Sequence, residues 1–165
     1  VQAVARMNKA PIPTFASYLP TLARLIEEHD VKTALEFGMG LASTPLLNVK
    51  CTRVASIEMN SHIWYEFLLS CFGAAGWDLQ CMLGPTMAPD LVSEMTRSQD
   101  LVLVDGHGDS RPEQIMAATK VTSLIVVHDV QEPGYHWERA VLPVAWTWTN
   151  VDTGVAKTAV LEGPG

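Results

Sequence analysis

Apolar positions along the chain follow two rhythms. Leu19, Leu22, Ala23 and Ile26 recur at i, i+3, i+4 and i+7 and predict one amphipathic helix. Pro20 falls near its start, where a missing N–H costs little. From residue 33 the pattern changes to short apolar runs separated by polar or glycine-containing stretches. Residues 33–37, 53–58, 79–83, 100–105 and 123–128 predict strands, the last two of the fully buried kind. Between them, 41–48 reads as a helix start, and 61–75, 89–96 and 112–119 predict helices. Ser61 serves as an N-cap and Gly76 as a stop. Residues 137–142 predict a further helix, and Ala10-Pro11-Ile12-Pro13 an extended lead-in.

The pattern changes again near the end. Residues 146–152 and 157–162 predict two strands around Thr153-Gly154, a spacing that suits a hairpin and not a crossover. The fold class expected is therefore α/β: a Rossmann-like, doubly wound, mostly parallel seven-stranded sheet with a C-terminal antiparallel hairpin. At 165 residues one domain with its own core is expected, residues 1–30 forming a helical lead-in and 31–165 the sheet-bearing core. Ligands of such sheets bind at the carboxyl ends of the strands. The candidate chemistry collects there.

Composition narrows the partners. The net charge is −7 and the eleven Lys and Arg residues are scattered, so nucleic acid is not the expected partner. No apolar run reaches the roughly 18 residues that cross a bilayer, and no membrane partner is expected. Cys51, Cys71 and Cys81 are odd in number and show no metal-ligand spacing, which suits reduced thiols and a cytoplasmic address. A homo-oligomer remains open.

The first strand runs into Glu36-Phe37-Gly38-Met39-Gly40-Leu41-Ala42-Ser43-Thr44. A strand, a glycine turn and a helix start form a ligand loop, because Gly38 and Gly40 let the backbone turn tightly and approach a ligand. Ser43 stands where a dinucleotide fingerprint wants glycine or alanine. Glu36, at the strand tip, would repel a pyrophosphate and attract an ammonium or sulfonium group. Glu58 ends the second strand, 20 residues after Gly38, where a carboxylate suits two ribose hydroxyls.

Glu-x-Gly-x-Gly-x-x-Ser-Thr, then Ser56-Ile57-Glu58, then Trp64-Tyr65, resembles class I S-adenosylmethionine-dependent methyltransferases. The similarity runs from about Leu19 to Glu162. It implies S-adenosylmethionine as cofactor, with Glu36, Gly38, Gly40, Ser43 and Thr44 around its methionine end. Glu58 would then hold the ribose and Met59 lie beside the adenine, with Asp105 also facing the cofactor. Gly84-Pro85 departs from the acidic residue many members carry near the adenine amine.

Asp105-Gly106-His107-Gly108-Asp109 ends the fourth strand, His128-Asp129 ends the fifth, and His136 follows. Methyl transfer needs alignment and removal of a proton from the acceptor. His107 or His128 could serve as base, or a divalent cation such as Mg2+ could acidify a bound hydroxyl. Asp105, His107, His128 and Asp129 are the catalytic candidates. The pattern resembles metal-assisted small-molecule O-methyltransferases, which implies Asp105, Asp129 and His128 as metal ligands and a small-molecule acceptor, sugars included. Arg111 could clamp an acidic acceptor or cap the following helix. A nicotinamide-dependent oxidoreductase is the weaker reading, opposed by Glu36 and Ser43. A non-catalytic binding or scaffold module is the alternative, suited by the short connections after strands four and five.

Overall fold

The computed structural model describes residues 16–58, 61–76, 81–83, 95–152 and 156–164. The expected lead-in at 10–13, most of the helix at 89–96, and the 153–154 turn lie outside them, as do Met59 and Gly84-Pro85. The described strands are β1 (Thr33–Phe37), β2 (Arg53–Glu58), β3 (Cys81–Leu83), β4 (Leu101–Val104), β5 (Leu124–His128), β6 (Thr147–Asp152) and β7 (Lys157–Glu162). They form one mixed sheet in the order β3-β2-β1-β4-β5-β7-β6. The first five pair in parallel; β7 runs antiparallel to both β5 and β6.

Helices cover both faces. Helices α1 (Leu19–Glu28) and α2 (Ser43–Lys50) pack on one side, where Leu22, Leu25, Ile26, Leu46 and Leu47 meet Ala34, Val54, Leu101, Leu103, Leu124 and Val126. Helix α3 (His62–Ala74) is capped by Ser61, whose hydroxyl accepts the Trp64 amide at 3.1 Å. Its Leu68 and Phe72 pack with Met39 of the β1 loop. Helix α4 (Arg111–Ala118) packs on the other side of the sheet, bringing Ile115 and Ala118 against Leu35, Phe37, Val102, Val104, Ile125 and Val127. Every residue of β4 and β5 is buried, as an apolar run covered on both faces requires.

One expected helix is not formed. Residues 137–142 hold only a single 3-10 turn, Trp137–Arg139. His136 precedes it in the left-handed region at φ 55°, and Pro143 follows, so the segment is too short to propagate a helix.

Candidate functional site

The sheet reverses its strand order between β1 and β4, and crevices for ligands open at such points. Strand parity decides which side chains share a face at these tips. Ala34, Val54, Leu101, Leu103, Leu124 and Val126 face the α1/α2 layer. Counting on by twos places Glu36, Ser56, Glu58, Asp105 and His128 on that same side.

Glu36 is fully buried. One carboxylate oxygen accepts the Ser43 hydroxyl; the other accepts Thr44 at 2.7 Å and Ser56 at 2.5 Å. Ser56 is its register partner on β2. Burial pushes the Glu36 carboxyl up to about 7, against the pull of these three donors and with a push from Asp105. Its oxygens are spent on the loop's own hydroxyls, so Glu36 braces the loop from inside the fold.

Gly38 has φ +89° and lies against the tip of β4. A Cβ there would overlap the Asp105 carbonyl and the Gly106 backbone, so only glycine lets the two tips meet. The Gly38 amide donates to Ile57 at 2.8 Å, and the Asp105 amide to Phe37 at 2.8 Å. The Gly40 amide donates to the Thr44 hydroxyl at 3.0 Å, and the Trp64 indole to the Met39 carbonyl at 2.9 Å. The loop is thus held from α2 and from α3. Glu58 is buried at the β2 tip, and its carboxylate accepts the Ser61 amide at 3.3 Å.

The β4 and β5 tips bring Asp105, His128 and Asp129 together, with one ligand atom of each within 4.8 Å of the others. His128 Nδ1 lies 3.2 Å from Asp105 Oδ1, and its Nε2 3.5 Å from Asp129 Oδ1. The imidazole is 2% exposed, whereas Asp105 and Asp129 are 20% and 28% exposed. Asp129 sits at φ 58°, a left-handed conformation that aspartate tolerates better than most residues. His107, Asp109 and His136 lie on exposed turns, outside the cluster.

Two residues at the site had no such role in the sequence reading. Tyr18, 1% exposed, comes from the turn before α1; its ring lies 4.3 Å from that of His128. Burial, followed by the nearby Asp105 and Glu36 charges, raises its hydroxyl well above an ordinary tyrosine. Ser17 Oγ stands 3.4 Å from His128 Nε2. Arg111 does more than begin α4: its buried guanidinium bonds the Gly106 carbonyl at 2.7 Å, the His128 carbonyl at 2.5 Å and Asp105 Oδ1 at 3.1 Å. Such partners at the tip of a buried strand leave no mark in local sequence.

For a divalent ion the donor types are suitable but the charge is not. Asp105 Oδ1 already accepts from Arg111, both His128 nitrogens face carboxylates, and a permanent cation stands 3.1 Å from Asp105. The residues present do not fit a metal.

No protein-family model matches the chain. No curated protein matches it either. Solved structures do match. A protein provisionally named a caffeoyl-CoA O-methyltransferase, from Staphylococcus aureus, superposes with a TM-score of 0.72 at 14% identity, covering 98% of this chain and 90% of that one. The fold is that of methyltransferases. A provisionally named O-methyltransferase from Klebsiella pneumoniae gives a TM-score of 0.71 at 16% identity, covering 95% and 83%. A methyltransferase from Geobacter sulfurreducens gives 0.62 at 15%, covering 99% and 86%. At such identities the likeness is one of architecture, and chemistry has to be argued from the site.

Proposed function

We propose that the chain is an S-adenosylmethionine-dependent methyltransferase acting on a hydroxyl oxygen of a small molecule. The observation that carries this reading is the reversal of strand order between β1 and β4. The glycine loop, Glu58 and the Asp105–His128–Asp129 cluster all border it on one face of the sheet. Its tips carry carboxylates, which suit a cationic nucleoside and oppose a pyrophosphate. The cofactor supplies, when bound, a methyl group already activated on a sulfonium.

The chain's own work is orientation and proton removal. The Gly38–Gly40 backbone leaves room for close approach, and Glu58 offers its carboxylate to the ribose hydroxyls. Asp129, the most exposed member of the cluster, receives the acceptor proton. His128 stands behind it, its ring held between Asp129 and Asp105. The net charge of −7 suits a neutral or cationic acceptor better than a polyphosphate.

Calorimetric titration with S-adenosylmethionine, its demethylated product and NAD tests this reading. The first two should bind and NAD should not. Binding of NAD alone would replace the reading with the oxidoreductase; binding of none would leave a scaffold module. Glu58→Ala should weaken cofactor affinity about tenfold or more, the loss expected for hydrogen bonds to a charged group. An unchanged affinity would remove the ribose assignment.

A further inference from the structure

Arg111 is the first residue of α4 and directly follows the 3-10 turn Gly108–Ser110. Its side chain is 5% exposed and all three of its nitrogens are engaged. Two partners are carbonyls, one after β4 and one at the end of β5; the third is Asp105. The Tyr135 ring covers the guanidinium, 4.4 Å from ring centroid to the central carbon. Tyr135 can lie there because residue 108 is glycine: a Cβ on Gly108 would overlap the ring. The Asp-Gly-His-Gly-Asp-Ser-Arg segment therefore reads as a unit that seats a buried cation.

We propose that Arg111 is the resident cation of the Asp105–His128–Asp129 cluster, taking the electrostatic place of a divalent ion and closing the cluster to metals. The guanidinium ties the β4 and β5 tips together, orients Asp105 and balances its charge. An arginine cannot shed its proton to make way for a metal. A second cation shared by Asp105 and Asp129 would face it across a partly buried site, where like charges repel more than in bulk water. Hard cations also need more free oxygen donors than two carboxylates, one already partnered, provide. The meaning of this assignment rests on the methyl-transfer reading. Its test does not: metal binding is read with neither cofactor nor acceptor present, so failure there leaves that reading standing.

The experiment is titration of the chain with Mn2+, following free Mn2+ by electron paramagnetic resonance. The wild type should show no site tighter than about 1 mM. Arg111→Met should bind Mn2+ about tenfold or more tightly than wild type, and adding Asp129→Asn should abolish that gain. Arg111→Lys, which keeps the charge, should remain closed. Should Arg111→Met fail to fold by circular dichroism, Arg111→Gln replaces it, being neutral yet able to keep one bond to a loop carbonyl. A one-to-one Mn2+ site in the wild type that Asp129→Asn removes would overturn the proposal. So would a folded neutral variant with no gain.

Discussion

Replacing Glu36 with glutamine isolates the titration of one buried carboxyl beneath the glycine loop. Unfolded, this carboxyl titrates near 4.5; folded, burial carries it to about 7. The folded state therefore holds its proton more tightly than the unfolded state. Stability from this source is fully present below about 4.5 and is lost as pH rises through about 7. The gap corresponds to about 3 kcal/mol of stability missing at alkaline pH. Solvent does little to screen it, because the group is fully buried. A glutamine side chain in its place would keep the shape and one oxygen while staying neutral. Its amide would face a hydroxyl that now donates, so a cost of about 1 kcal/mol at acid pH is expected. Urea unfolding of both proteins between pH 5 and pH 9 reads the difference. The wild type should lose about 2 to 3 kcal/mol relative to Glu36→Gln across that range, nearly all of it between pH 5 and pH 7 and little above. Parallel stability curves would refute the reasoning, since they would mean that Glu36 titrates alike in both states.

Gly38→Ala should cost about 3 kcal/mol or more, from the positive φ and the overlap with the Asp105 carbonyl; an unmoved urea midpoint would contradict the close packing of the two tips. Asp129→Asn should lower kcat about 100-fold or more while cofactor affinity holds. Loss of cofactor binding in that variant would instead place Asp129 among the cofactor contacts.

Much of the fold is local and was legible along the chain. Apolar runs buried on both faces mark β4 and β5 without reference to anything distant, and Ser61 announces α3 because a cap is a contact three residues long. Alternation by two also puts Glu36, Glu58 and His128 at strand tips on one face once the strands are known. The expected helix at 137–142 failed for a conformational reason that residue types alone do not display: His136 takes a left-handed φ. Strand register decided what Glu36 does. Read in sequence, its carboxylate faces a ligand; paired with β2, it meets Ser56, and with Ser43 and Thr44 its oxygens are occupied. Tyr18 and Arg111 belong wholly to the tertiary structure. The turn before α1 reaches His128 across 111 residues of chain, and Arg111 meets the His128 carbonyl only because β4 and β5 lie side by side. Periodicity encodes which face a residue takes; which distant residue waits on that face depends on the order of strands, and that is settled only when the sheet assembles.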